Sequence, residues 1–444
     1  MTPVKKLFRF EQASGLLMIG AMLLALAAAN SPLAPAYRFI HHIPVHVRFG
    51  PLVIDEPLVQ WINEGLMVFF FLLVGLEIKR QFLEGHLSTW KCAALPAIAA
   101  MGGMMAPAAV YWAFASGDPE QVRGWAIPTA TDIVLALGIL SLLGSRVPAG
   151  LKVFLTALAI FDDVGAVLII GLFYGEDISL APLLLATLAI SGLVALNHLG
   201  IAKPLPYVVV GLLLWITMLE AGAAPAVAGV LIALAVPLHR REVRALSPLR
   251  TMERRLHPWA TLLIVPLFAF FNSGIAIYDG ALAGLLTPVS LGIALGLFLG
   301  KQVGIMAAAW TAVRLGLAEL PRGMDWAQLY GAALLAGIGF TMSLFVTTLA
   351  FSDPTLIASA KLAILAGSLM SGCAGFVWLR SVIATVPPAP RCLPGPGRRS
   401  RRRPRRGKAS RCVSWPAIYN SSPQVIAPPY GSGWYFKEIR QQHP

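Results

Sequence analysis

The sequence predicts an all-α polytopic membrane protein of about twelve transmembrane helices. Three observations carry that prediction. Of 444 residues, 57% are hydrophobic and only 13% are charged, a charged share about half that of soluble domains. Mean hydropathy is +0.72. Apolar stretches recur along the chain at the roughly 20-residue length that a bilayer-spanning helix requires, separated by short polar breaks. A soluble globular domain is excluded, and the helices themselves constitute the domain.

The first apolar run, 15–29, follows Lys5, Lys6 and Arg9. That order resembles a secretory signal, but the spans that follow make it a retained first helix. The twelve spans centre near Leu23, Phe71, Gly103, Val134, Gly165, Ile190, Leu213, Gly229, Val265, Phe298, Ile338 and Ala366. The break at 35–55 carries Ile43, Val45, Val47, Phe49 and Val53 in loose alternation around Gly50 and Pro51, the pattern of a short hairpin. Pro44 weakens its first strand. Later breaks fall at 85–90, 117–123, 144–148, 175–178, 198–204, 220–224, 239–255, 278–286, 315–325 and 352–354. Most are short enough to force antiparallel neighbours.

Assigning the breaks alternately to two sides places eighteen Lys and Arg with the basic N-terminus and three, Arg38, Arg48 and Arg123, opposite. The positive-inside rule then makes both termini cytoplasmic. Net charge is +14, yet residues 381–444 alone contribute +11 through twelve Lys and Arg against Glu438. The expected division is a transmembrane domain over 1–386 and a basic tail over 387–444. Rich in Pro, Gly, Ser and Arg, the tail buries too little surface to fold and is expected to be disordered and cytoplasmic. A basic run alone has no readout chemistry, so no nucleic-acid partner is expected; contact with anionic lipid fits its charge. Cys92, Cys373, Cys392 and Cys412 show neither metal spacing nor a disulfide framework.

An ionisable group inside a bilayer costs several kcal/mol and marks function by default. The mid-span acids are Asp132, after Pro128 and Thr129 to Thr131, and the adjacent Asp162 and Asp163; Lys301 is the mid-span base, and Glu64 lies near a span end. Successive helical residues point about 100° apart, so Asp162 and Asp163 occupy different surroundings. One faces a cavity and a cation while the other seeks a positive partner, for which Lys301 is the candidate. Pro128 disfavours helix before it, and the threonines offer hydroxyls to freed backbone groups. The run Gly337 to Ser343 is a second interruption, with Thr341 and Ser343 available to cap it. Paired interruptions in the two halves of a transporter point to a midplane site, where Asp132 offsets the positive ends of half-helices and Lys301 the negative ends.

These residues lie in longer strings: 61–67 (WINEGLM), 71–80 (FLLVGLEIKR), 129–132 (TATD), 159–163 (AIFDD), 257–259 (HPW) and 337–343 (GIGFTMS). From about Phe8 to Arg380 the chain closely resembles the NhaA-type sodium/proton antiporters. The resemblance implies a secondary transporter of a bacterial inner membrane, built as inverted repeats with two discontinuous helices crossing at the midplane. It implies electrogenic export of Na+ or Li+ against entering protons, without a cofactor. Asp163 would be the principal cation ligand, with Asp162 joining it or pairing with Lys301; Thr131, Asp132, Lys301 and Gly337 would belong to the crossing. Glu77, Arg80, Glu253 and His257 match a cytoplasmic pH-responsive cluster, although Gln81, Arg254 and Ala224 depart from the family pattern there. The 38–55 hairpin would join two copies into a homodimer. An intramembrane aspartyl protease would need Asp132 paired with one of the adjacent acids and leaves Lys301 without a role. A passive channel needs no proton coupling.

Overall fold

Apolar stretches of bilayer width fold into helix because no water is there to satisfy a free backbone N–H or C=O. The computed structural model describes residues 3–49, 52–175, 179–201, 203–238, 247–276, 284–321 and 323–385. The expected tail, 387–444, and Gly50 and Pro51 at the hairpin tip lie outside the described residues. The chain divides into two units, 8–390 and 1–7 with 391–444. Of the second, only residues 3–7, the start of the first helix, are described.

Helix α1 (Pro3–Ala29) is followed by the short α2 (Ala34–His41), strands β1 (Pro44–Phe49) and β2 (Leu52–Pro57), then α3 (Leu58–Glu84) and α4 (Trp90–Ala115). Next come α5 (Pro119–Val122), a 3-10 segment (Arg123–Thr129), α6 (Ile133–Leu142), α7 (Ala149–Phe173), α8 (Leu180–His198), α9 (Pro204–Glu220) and α10 (Val227–Ala235). The chain continues through α11 (Pro248–Ser273), α12 (Pro288–Arg314), α13 (Trp326–Ala336), α14 (Phe340–Ala350) and α15 (Pro354–Thr385).

Among the described residues nine helical stretches are long and apolar enough to cross a membrane, with α5 to α6 taken as one; the pair α13 and α14, bent by 42°, makes a tenth. The remaining expected spans, centred at Leu213 and Gly229, are α9 with 17 residues and α10 with 9. At 1.5 Å per residue α10 is about 14 Å long. It is short because the chain turns at Gly222, φ 70°, and passes Pro225 before helix resumes.

The hairpin is antiparallel, with Pro44 opposite Pro57 and Phe49 opposite Leu52. Pro44 opens β1 rather than interrupting it, the place where a missing N–H costs least. Residues 38–41, expected within the hairpin region, belong to α2 instead.

One apolar cluster runs through α4, α7, α13 and α14. Another gathers α3, α8, α9 and α10 around Leu76, Leu193, Tyr207 and Leu214. Leu184, Leu188, Val209 and Leu212 are exposed on α8 and α9, as a lipid-facing surface requires. Helices α4 and α12 meet backbone to backbone: a Cβ on Gly102 would lie 2.3 Å from Gly304 O, and one on Gly304 2.1 Å from Gly102 O. Only glycines permit that approach, and it fixes the height of α12 one turn from Lys301.

Candidate functional site

The site is built on two breaks in helix. After the 3-10 segment the backbone extends, with Ala130 at φ −82°, ψ 153° and Asp132 at φ −85°, ψ 100°. The second break lies between α13 and α14 at Gly337 to Gly339. The two cross in contact: Asp132 N donates to Ile338 O at 2.6 Å. Gly337 has no room for a side chain, because a Cβ there would stand 2.5 Å from both Leu297 O and Ser371 Oγ.

Each broken end exposes donors or acceptors that must be satisfied. Asp132, 2% exposed, serves two helices at once. Its Oδ1 accepts from Leu135 N at 3.0 Å in the first turn of α6. Its Oδ2 accepts from Thr341 N at 3.1 Å and Thr341 Oγ1 at 2.6 Å at the start of α14. One carboxylate therefore sits against two helix N-termini, where negative charge is favoured. The structure corrects one expectation: Thr341 and Ser343 reach the other broken segment instead of capping their own helix. Ser343 Oγ donates to Ile127 O at 2.7 Å, and the cap of α14 comes from Asp132.

Asp162 and Asp163 lie near the middle of α7, 1% and 3% exposed. Asp162 faces α12, where Lys301 follows a π-helical segment, Gly296–Gly300. Lys301, 0% exposed, donates to Asp162 Oδ2 at 2.6 Å and to Thr131 Oγ1 at 2.9 Å. The Thr131 hydroxyl lies 2.6 Å from Asp162 Oδ2 and 2.8 Å from Ala336 O, the last carbonyl of α13, and donates its single proton to either. Lys301 thus pairs with Asp162, while the negative end of α13 is met by Thr131; no bond from Lys301 to a half-helix carbonyl is present among the described residues.

Two features remain unpaired. Asp162 Oδ1 is buried without a hydrogen-bond partner, and among the described residues no hydrogen bond or ion pair engages the Asp163 side chain. Asp163 also lies in the field of Asp162, Glu77 and Asp132, against Lys301 alone of opposite sign. The adjacent carboxyl groups make an electronegative, largely buried niche of oxygens, the donor type that hard cations take. No group of three or more His, Cys, Asp and Glu able to hold a metal ion exists among the described residues.

Glu77, Arg80, Glu253 and His257 form a second cluster. Arg80 Nε donates to Glu253 Oε1 and Oε2 at 2.9 and 2.8 Å, and Glu253 also interacts electrostatically with Glu77 and His257. Arg250 and Glu84 make a further ion pair between α11 and α3 at 2.5 Å. Glu77 is the member whose field reaches Asp163.

Sequence reasoning missed Lys79, which donates to Leu234 O and Val236 O at 2.6 Å each and caps the end of α10. It also missed Tyr111 and Tyr174, whose hydroxyls donate to Gln121 O and Arg123 O and hold the approach to the first break. A lysine at a helix end is a faint signal for a C-cap; the tyrosines carry none.

Residues 5–379 match the family described as Na+/H+ antiporter 1. A protein named Na(+)/H(+) antiporter NhaA from Rhodospirillum rubrum is 50% identical over 380 residues, covering 84% of this chain and 95% of the relative. One named Na(+)/H(+) antiporter NhaA 2 from Pseudomonas syringae pv. syringae is 51% identical over 378 residues, covering 85% and 94%. The NhaA antiporter of Shewanella sp. strain ANA-3 is 50% identical over 375 residues, covering 84% and 96%.

Proposed function

The chain belongs to the Na+/H+ antiporter 1 family, and from that premise we infer that it is a multi-pass membrane transporter exchanging Na+ for H+, with Asp163 and Asp162 as the shared site. The observation that supports this site is the split between the adjacent acids: Asp162 is held by Lys301 and Thr131, while the buried Asp163 is left without a bonding partner among the described residues.

Competition follows from that split. Two neighbouring carboxyl groups retain a proton readily and release it when a cation supplies the positive charge. Na+ entering at Asp163 takes oxygen from the carboxylates and displaces a proton. If Asp162 Oδ1 joins the coordination, Lys301 loses part of its counter-charge, so the second proton is carried by an aspartate or by Lys301. When only the loaded forms pass between the two access states, a proton gradient drives Na+ uphill. Thr131, Asp132 and Gly337 keep the crossing in place around the site.

The reading extends further. Two protons per cation make the exchange electrogenic, and Li+ replaces Na+ as a similarly hard cargo. The location is a bacterial inner membrane, with both termini cytoplasmic; the partners are the bilayer, Na+, Li+, H+ and a second copy bound through the 38–55 region. No cofactor is needed. The cluster of Glu77, Arg80, Glu253 and His257 adjusts activity to cytoplasmic pH, with His257 its imidazole member.

The test is Na+-induced proton movement in everted vesicles carrying the chain, followed with a ΔpH-sensitive dye at pH 7 and pH 8.5. Na+ or Li+ should collapse the gradient, whereas K+ and choline should not. Asp163→Asn should abolish the response while the protein still inserts, and normal exchange in that variant would overturn the site assignment.

A further inference from the structure

The last four carbonyls of a helix have no intrahelical donor. At the end of α11 two of them are taken by side chains of α2. Tyr37 Oη donates to Phe270 O at 2.6 Å, and His41 Nε2 lies 2.7 Å from Phe271 O. The other ring nitrogen, Nδ1, lies 2.8 Å from Tyr37 O, one turn back on α2. Both neighbours of the ring are carbonyl oxygens, which only accept. Neutral imidazole has a single N–H and fills one of these bonds; the doubly protonated ring fills both. Its charge then lies at a helix C-terminus, where a cation is favoured.

The rest of the neighbourhood is aromatic and backbone. The aromatic rings of Tyr37 and Phe271 stand 4.3 and 5.0 Å from the imidazole centroid. Burial pushes the Tyr37 hydroxyl up, so it remains a neutral donor. On α2 itself the other ionisable groups are Arg38 and, at its C-cap, His42, both exposed. The α11 segment 259–273 and residues 58–60 of α3 carry none. On the hairpin, Asp55 is paired with His46 at 2.6 Å, and Glu56 lies with Glu64 beside Trp61.

We propose that His41 is a pH-dependent clasp, docking α2 on the end of α11 when doubly protonated and releasing one of its two bonds when neutral. The clasp sits at a joint. Three residues beyond His41 the chain enters β1, and Asn272, next to Phe271, donates to Asn63 Oδ1 of α3 at 2.7 Å. Imidazole changes charge between pH 5 and 8, so alkalinity on the hairpin side loosens the seat of α2. The clasp is separate from the Glu77, Arg80, Glu253 and His257 cluster and does not depend on which residues bind cation.

The experiment is hydrogen–deuterium exchange of the full chain in lipid vesicles, read on peptides covering 34–42 at pH 6 and pH 8.5 and corrected for intrinsic rates. Protection should fall about fivefold to tenfold at the higher pH, the equilibrium weight of one hydrogen bond. His41→Gln should give low protection at both pH values. His41→Arg, which keeps a charge and several donors, should give high protection at both and serves as the decisive variant if the first does not insert. Protection in the parent chain that ignores pH would overturn the proposal. So would a pH-dependent fall that persists in either variant.

Discussion

Asp132 shows how much one buried carboxylate can hold. Its two oxygens receive donors from the first turns of both α6 and α14, so its removal strips caps from two half-helices together. A cap is worth about 0.5–2 kcal/mol, and Asp132→Ala should therefore cost roughly 1–3 kcal/mol, read as a lowered melting temperature of the purified protein. Asp132→Asn keeps one carbonyl oxygen and should fall between Ala and the parent. Equal melting temperatures for all three would refute the double cap. The residue was legible in the sequence because an acid after Pro128 inside an apolar span must either do chemistry or answer the exposed end of a helix. That it answers both half-helices was also legible, from the paired interruptions, but the atoms were not: the cap on Thr341 came as a correction, because hydropathy says nothing of which donors a buried oxygen receives. His41 and Lys79 escaped for the same reason: each is defined by carbonyls on another helix.

At the scale of the element, α12 is positioned by what it lacks. Gly304 and Gly102 bring two backbones into contact, and Lys301 stands less than one turn away with its ammonium 2.6 Å from Asp162. Gly304→Val would push its Cβ into Gly102 O, which is backbone and has little room to move. Helix α12 must then shift, and exchange should drop at least tenfold, with the protein less stable. Gly20→Ala on α1, where a Cβ meets nothing within 4 Å, is the control and should change neither. A Gly304→Val variant with normal exchange would show that the seam does not set the position of Lys301. All twelve span centres read from hydropathy fall on helices or on a break between two of them. The π-helical segments at Trp61–Leu66, Ala260–Ile264 and Gly296–Gly300 left no trace in that pattern, since one extra residue per turn scarcely alters an average over 20.

For the whole molecule, the family match ends at residue 379, close to the end of α15 at Thr385. The basic stretch beyond it supplies none of the residues from which the site is built. Deleting the residues after Val386 should leave vesicle exchange unchanged at equal protein level. Lost exchange in correctly inserted protein would give that stretch a part in transport. Composition alone separates an apolar stretch from a basic one. The lengths of α9 and α10 were less legible, because a 20-residue average runs across the turn at Gly222 and reports one apolar region where the backbone makes a corner.

The ion pair between Lys301 and Asp162 joins residues 139 apart in sequence, and the cap of Thr341 by Asp132 joins residues 209 apart. Seen from the ribosome, both carboxylates are made long before their partners. A nascent chain that ends before α12 holds Asp132, Asp162 and Asp163 without Lys301, and the first half of the protein waits on the second for its electrostatic completion. Synthesis order thus makes the late helices the finishers of a site whose chemistry was laid down early.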